Sequence, residues 1–239
     1  MAHGHQGPEL EVPNSLGFTS NKSLQKEHFD FSTDKLTLHY QSPRFPLIEP
    51  YLSYQARPGY LRLLGQEPPT SLYEQSLVAR RQQEFCFTAE TTVDFNPTNF
   101  QQMAGLISFY NTQKFIYLCI THDESLGRVI EIVMSTMDGS MRYPLGKRVP
   151  VPHGKIRLKI QVEWDQWRGF WSTDLDNWEP LGGYLDYSGL ADEVEAEHFT
   201  GAFIGMACHD ISGQAIAADF ASFSYVENDV SDSKLKSVQ

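Results

Sequence analysis

The sequence predicts an all-β protein in which two antiparallel sheets pack face to face. Short apolar or alternating runs recur from Phe29 onward, and turn-forming residues separate them, a pattern typical of strands joined by turns. About a dozen such runs without a long helical pattern favour two packed antiparallel sheets over an alternation of strands and helices. The chain has 239 residues, and 13% of them are aromatic, which is enough to fill one large sandwich core.

The clearest predicted strand covers residues 156–162. Apolar side chains stand at Ile156, Leu158, Ile160 and Val162, and polar side chains stand between them. Because successive side chains of a strand point to opposite faces, this alternation predicts one buried and one solvated face.

The domain organisation follows from changes in composition along the chain. Residues 1–26 are polar, contain Gly, Pro, Asn and Ser, and show no periodicity, which indicates a linker or an extended N-terminal arm. Residues 27–227 hold the strand-like runs and form the predicted sandwich domain. Residues 228–239 are polar again and are predicted to form a flexible tail.

The net charge and the cysteines restrict the partners and the compartment. A net charge of −11 without a basic stripe argues against nucleic acid and anionic membrane as partners. Cys86, Cys119 and Cys208 lie in apolar runs, and their odd number predicts buried free thiols rather than a disulfide framework. The N-terminal residues lack the features of a signal peptide. Together these features favour the cytoplasm, and a secreted parent protein stays open.

A search for catalytic motifs yields one acidic pattern. The sequence shows no glycine-rich dinucleotide motif, no P-loop and no nucleophile elbow. Glu193, Glu195 and Glu197 alternate, and on a strand such carboxylates lie roughly 6.6 Å apart on one face. That is near the separation of roughly 6.5–9.5 Å used by inverting glycosidases. The competing interpretation is a solvated acidic loop or helical turn.

The aromatic residues offer a second kind of site, a platform for sugar rings. The flat CH faces of sugars stack on Trp and Tyr, whose polar rims also form hydrogen bonds. The predicted sugar-contacting residues are Tyr110, Tyr117, Trp167 and Trp178. For each of them the competing interpretation is a place in the core, because a large sandwich needs bulky side chains.

Several separated motifs resemble one known family. They are LTLHYQSPR (36–44), QSLVARRQQ (75–83), FQQMAGLISFYNT (100–112), FTGAFIGM (199–206) and ADFASFSY (218–225). Together they resemble the C-terminal domain of glycoside hydrolase family 43 β-xylosidases. The resemblance extends from about residue 10 to residue 227 and implies a concanavalin-like jelly-roll sandwich of two antiparallel sheets.

The resemblance also implies that the chain is not an enzyme on its own. In that family the acid and base of an inverting mechanism lie on a separate N-terminal five-bladed propeller. About 26 residues precede the predicted sandwich here, whereas a propeller needs several hundred, so we expect the catalytic residues to be missing. The implied partners are the propeller domain and xylan or xylo-oligosaccharides, and family members often form homo-oligomers.

Two site assignments come from the resemblance alone. Phe199 matches a Phe on a loop that helps to close the substrate pocket, and the alternative is a core residue at the start of a strand. Related sandwiches often hold a structural calcium that joins the first and last strands, and the candidate ligands here are Asp219 with Glu27 or with a backbone carbonyl near Phe29.

Three functional interpretations therefore stay open. The first is an accessory carbohydrate-binding module of a β-xylosidase. The second is a purely structural domain that stabilises the propeller and has no sugar affinity alone. The third is an independent sandwich-fold glycosidase that uses Glu193, Glu195 or Glu197.

Overall fold

A computed structural model describes residues 23–46, 48–136, 140–142, 144–192 and 200–228. Within these ranges the chain forms sixteen β-strands and one short 3₁₀ helix, Ser188–Leu190. The strands are β1 (Lys26–Asp30), β2 (Tyr40–Gln41), β3 (Leu52–Ser53), β4 (Leu61–Leu64), β5 (Ser76–Arg81), β6 (Cys86–Asp94), β7 (Gln102–Asn111), β8 (Lys114–Asp123), β9 (Gly127–Ser135), β10 (Met141–Arg142), β11 (Val149–Pro150), β12 (Lys155–Glu163), β13 (Gln166–Ser172), β14 (Glu179–Asp186), β15 (Phe203–Asp210) and β16 (Ala217–Glu227). No helix in the described ranges is long and apolar enough to cross a membrane.

The strands form two antiparallel sheets. The first sheet has the order β14-β13-β12-β6-β16-β4-β3, and β1 pairs with β16. The second sheet has the order β10-β9-β8-β7-β15-β5-β2, and β11 pairs with β9. These two sheets confirm the predicted all-β sandwich.

The main core lies between the two sheets. Strand β12 shows how the sequence builds it, because Ile156, Leu158, Ile160 and Val162 are fully buried while the residues between them are not. These side chains join a single apolar cluster that includes Leu106, Leu118 and Ile204 of the second sheet. The predicted alternation of β12 is therefore confirmed.

The second sheet is also buried on its outer face, the face turned away from the first sheet. Its apolar cluster there consists of Leu77, Ala79, Met103, Ile107, Phe109, Phe115, Tyr117, Cys119, Val133 and Ala207. Strands with two apolar faces do not alternate in sequence, and β7 is accordingly buried over nine consecutive residues. The three cysteines are free and buried, as predicted.

Candidate functional site

Two hollows in the surface are lined by residues that directly precede or follow the segment 193–199 in the sequence. The first hollow has a volume of about 380 Å³, and Thr200 is part of its wall. The second hollow has a volume of about 670 Å³ and is lined by Asp192 and Gly201. The family resemblance assigns the pocket-closing role to Phe199, which directly precedes Thr200 in the sequence.

The floor of the first hollow is apolar. Leu77 and Ala79 of β5, Phe109 of β7 and Phe203 of β15 form it on the outer face of the second sheet. They share this face because Phe203 lies opposite Phe109 in the β15–β7 register, while β5 pairs with the other side of β15. Such a floor suits the CH face of a sugar ring better than a charged ligand.

The rim of the first hollow is polar and contains one exposed aromatic ring. Arg44, Gln75 and Asn111 line it, together with Tyr73, which is 72% exposed. The Gln75 side chain is buried, and its Nε2 donates a hydrogen bond to the Pro69 carbonyl at 2.8 Å. Its Oε1 has no hydrogen-bond donor within the described residues. A buried acceptor left without a donor is costly to the stability of the fold.

The second hollow is bordered by an exposed pair of stacked rings. Phe85 and Trp164 lie 5.3 Å apart between ring centroids, with an interplanar angle of 10°. They are 62% and 44% exposed, respectively. Trp164 begins the two-residue turn between β12 and β13 and has a φ of 58°, a left-handed conformation that costs energy for a bulky residue. The pair is a prominent apolar surface beside the second hollow.

Asp192 joins the two described ends of the segment 193–199. Its Oδ1 accepts a hydrogen bond from the Tyr110 hydroxyl at 2.6 Å and one from the Gly201 backbone N–H at 3.0 Å. These hydrogen bonds lower the pKa of the Asp192 carboxyl. Burial, and then the bond to Asp192, raise the pKa of the Tyr110 phenol. One ionised carboxylate thus links Gly201 to Tyr110 of β7.

Of the predicted sugar-contacting residues, Trp178 is half-buried, and Tyr110 is buried in the main core but borders the first hollow. Tyr110 lines the first hollow, although its hydroxyl already binds Asp192. Trp178 is half-buried and lies on the outer face of the first sheet, where Arg157 and Lys159 contact its ring. The two residues therefore do not share one site.

Tyr117 and Trp167 are core residues, so the structure corrects the prediction that they contact sugar. Tyr117 is buried in the outer-face cluster, and its hydroxyl donates a hydrogen bond to the Ala207 carbonyl at 2.9 Å. Trp167 is completely buried between the sheets, and its Nε1 donates to the Ser108 hydroxyl at 3.1 Å. Both polar atoms are satisfied inside the protein, and neither ring face is open to a ligand.

The predicted Phe199 and the acidic residues Glu193, Glu195 and Glu197 lie outside the described residues. Their flanking residues, Asp192 and Thr200, border the second and the first hollow, respectively. The pocket-closing role of Phe199 stays a prediction.

The predicted calcium ligands do not meet, so Glu27 and Asp219 do not form one calcium site. Glu27 lies opposite Tyr225, and Asp219 stands six positions earlier on β16, which is roughly 20 Å along a strand. The Glu27 carboxylate lies 2.7 Å from Arg80, and Asp219 binds Arg62 at 2.6 Å and Arg57 at 2.9 Å.

The guanidinium groups of Arg57 and Arg62 bind the Asp219 carboxylate in the way a metal ion was predicted to do. Burial works to raise the pKa of the Asp219 carboxyl, but the hydrogen bonds from Arg62 and Arg57 outweigh it and lower the pKa. Among the described residues, no group of three or more His, Cys, Asp or Glu could hold a metal ion. Calcium binding through other ligands stays a prediction.

Apart from Tyr110, sequence reasoning missed the residues that build the first hollow. Tyr73 follows the turn-forming residues Pro68, Pro69 and Ser71, and an aromatic ring beside such a turn is a signal for an exposed ring. Gln75 carried no comparable signal, because its unpaired amide oxygen depends on contacts made only in the fold.

Comparison with known proteins identifies the family. The model of the β-xylosidase C-terminal concanavalin A-like domain of glycoside hydrolase family 43 matches residues 28–226. A β-xylosidase from Bacillus subtilis is 37% identical over 92% of this chain, and the match covers 42% of that protein. A putative β-xylosidase from Escherichia coli is 37% identical over 82% of this chain and is matched over 37% of its length.

The structural comparison agrees with the sequence comparison. The crystal structure of xylan β-1,4-xylosidase from Bacillus halodurans is similar, with a TM-score of 0.80 and 33% identity, over 92% of this chain and 41% of that one. The chain thus spans about two-fifths of the length of the relatives that it matches. It therefore belongs to the family of C-terminal concanavalin A-like domains of glycoside hydrolase family 43 β-xylosidases.

Proposed function

We propose that this domain is a non-catalytic accessory module of a β-xylosidase that binds xylan or xylo-oligosaccharides in the first hollow. The observation that carries the proposal is the first hollow itself, an apolar floor under a polar rim that holds the exposed Tyr73 ring. A pyranose complements both parts, with a flat CH face for the floor and the ring and hydroxyl groups for the polar rim. The names of the relatives, β-xylosidase and xylan β-1,4-xylosidase, indicate which pyranose polymer to test.

In the same proposal, the first hollow faces a separate catalytic domain. Thr200 lines the hollow, and Phe199 directly precedes Thr200 in the chain. An apolar ring at the mouth of a pocket excludes water and limits which end of an oligosaccharide enters. In this proposal the domain helps to complete the active site of a separate propeller domain that supplies the acid and the base. The residues described in the wall of the first hollow include no carboxylate, which fits binding rather than hydrolysis.

Calorimetric titration with xylotetraose tests sugar binding by the domain alone. We expect saturable binding at millimolar sugar, and we expect Tyr73→Ala to weaken it roughly fivefold because one stacking surface is lost. Phe100→Ala is the matched control, since Phe100 is also exposed and does not line the first hollow. If the wild type does not bind, or if both variants weaken binding equally, the hollow is not the sugar site.

The exposed Phe85–Trp164 pair favours a second candidate function, a purely structural role in docking the catalytic domain. Gln25, close to the first described residue, lies near this pair. Its carbonyl accepts a hydrogen bond from the Glu227 N–H, while the next residue, Asn228, donates its N–H to the carbonyl of Cys86, the neighbour of Phe85. Two stacked, exposed rings at this position would be buried by a neighbouring domain.

Mixing this chain with a catalytic fragment of a family 43 β-xylosidase separates the two roles. We expect a complex that Trp164→Ser weakens, and xylosidase activity that rises on mixing. We expect Phe199→Ala to leave the complex intact and to reduce the gain in activity, because only the pocket wall changes. If no complex forms, the domain neither docks on the catalytic domain nor completes its active site. If a complex forms and the activity does not change, only the structural role is supported.

A further inference from the structure

A stripe of alternating aromatic rings and cations crosses the outer face of the first sheet. It consists of Trp178, Lys159, Phe170, Arg168 and Tyr184, and we refer to it as the aromatic–cation stripe. The Lys159 Nζ lies 4.2 Å from the centroid of the Trp178 ring and 4.7 Å from that of Phe170. The Arg168 Cζ lies 5.2 Å from the centroid of Phe170 and 4.8 Å from that of Tyr184.

The ammonium group of Lys159 forms no close ion pair within the described residues. Within the described residues it makes neither a hydrogen bond nor an ion pair. Glu90 stands opposite it in the β12–β6 register, but the Glu90 carboxylate pairs with Arg157 at 3.4 Å. Burial lowers the pKa of Lys159, and the nearby charge of Glu90 offsets part of that effect. Its N–H donors are therefore available to a ligand, between two rings that hold the side chain in place.

Arg168 also forms no ion pair with a carboxylate in the part of the chain that the structure describes. Its one hydrogen bond within the described residues runs from Nη1 to the Tyr184 hydroxyl, at a long 3.4 Å. Gln161 stands opposite it in the β12–β13 register, but the Gln161 amide donates to Glu163 at 2.7 Å. Arg157 differs from both cations, because it binds Glu90 and two backbone carbonyls.

Two cations without a close ion pair stand out on a chain with a net charge of −11. Glu90 and Glu163 share this face of the sheet, but among the described residues neither forms an ion pair with Lys159 or Arg168. The ammonium and guanidinium groups therefore keep donors that a further carboxylate could occupy. The surface fits a partner that is itself anionic, and the rings between the cations fit a partner with flat rings.

We propose that the aromatic–cation stripe binds an acidic polysaccharide, a chain whose pyranose rings lie on Trp178, Phe170 and Tyr184 while its uronic-acid carboxylates pair with Lys159 and Arg168. Carboxylates form strong charge-assisted hydrogen bonds with ammonium and guanidinium groups. Aromatic faces add contact area for the sugar rings, as on other ring-binding surfaces. The stripe belongs to the first sheet and the first hollow to the second, so the two sugar sites are independent of each other.

Affinity electrophoresis in gels that contain xylan with glucuronic-acid branches tests the stripe. We expect retardation of the wild type in the acidic xylan, and less in a neutral arabinoxylan of equal concentration. Lys159→Gln and Arg168→Gln should each weaken retardation roughly fivefold, and added salt should weaken it further. Lys35→Gln is the matched control, because Lys35 also lies over an aromatic ring, that of Tyr54, outside the stripe.

The outcomes separate this proposal from the first hollow. Loss of retardation in Lys159→Gln with xylotetraose affinity unchanged supports the stripe, whatever the result for Tyr73→Ala. Equal retardation in acidic and neutral xylan, or equal loss in Lys35→Gln, overturns it. Self-association that disappears in Lys159→Gln would also overturn it, since the stripe would then contact a second copy. Thermal unfolding of each variant confirms that a loss of binding is not a loss of fold.

Discussion

Trp167→Ala should lower the free energy of unfolding by about 3–5 kcal/mol, the usual loss for a fully buried Trp. Trp167 is completely buried between the sheets, and its ring lies so close to Gly169 that a Cβ there would approach the ring to 3.0 Å. The substitution leaves a large cavity and also leaves the buried Ser108 hydroxyl without its indole N–H donor. Urea unfolding followed by circular dichroism measures the change.

Trp178→Ala is the control for this prediction. Trp178 is half-buried on the outer face, so its removal should cost about 1 kcal/mol or less. The core position of Trp167 would be contradicted if Trp167→Ala unfolded at the wild-type urea concentration and bound xylotetraose more weakly. That pair of results would instead restore the sequence-based prediction that Trp167 contacts sugar.

The fold class could be predicted from the sequence because local patterns of apolar and polar residues indicate the strands of both sheets. Residues 156–162 alternate strictly, and the structure buries one face of that strand as predicted. The alternation disappears where a strand is buried on both faces, as in β7. Local patterns therefore cannot distinguish core rings such as Tyr117 and Trp167 from rings that bind a ligand. Whether a ring is buried depends on the strands that pack against it, and these are distant in sequence.

The candidate site was less predictable because its parts come from distant segments. The first hollow combines residues near position 44 with others from β5, β7 and β15, and no spacing in the sequence links them. The same limit explains the wrong calcium assignment. Glu27 and Arg80 are far apart in sequence, and only the fold brings them to 2.7 Å. The assignment of Glu27 as a calcium ligand came from the resemblance to related sandwiches, which does not reveal this contact.

Glu27→Gln should lower the free energy of unfolding by about 3 kcal/mol, because it leaves a buried charge without its counter-ion. The Arg80 guanidinium is almost completely buried and lies 4.1 Å from the centroid of the Tyr225 ring. Its Nη1 approaches Glu27 Oε2 at 2.7 Å without the alignment of a hydrogen bond, so the contact is chiefly one of charge. The Tyr40 hydroxyl donates to the same carboxylate oxygen at 2.7 Å.

Glu90→Gln is the matched control for this second prediction. Glu90 and Arg157 form a longer, more exposed ion pair, for which we expect a loss below about 1 kcal/mol. Both losses should be the same in calcium and in a chelator. If calcium raised the unfolding midpoint of the wild type and left that of Glu27→Gln unchanged, Glu27 would be a calcium ligand after all.

The double variant Glu27→Gln/Arg80→Met separates an unpaired charge from a merely disturbed contact. A buried ion pair is often worth no more than apolar residues of similar size, and removing one partner is what costs most. If the isolated Arg80 charge causes the loss, removing it as well should recover a measurable part of the stability, with Met filling the space under Tyr225. If the double variant is less stable than Glu27→Gln, Arg80 contributes mainly through its ring contact and its hydrogen bonds to Gln25 and Gln83. The arginine would then hold the first and last strands together much as calcium was predicted to do.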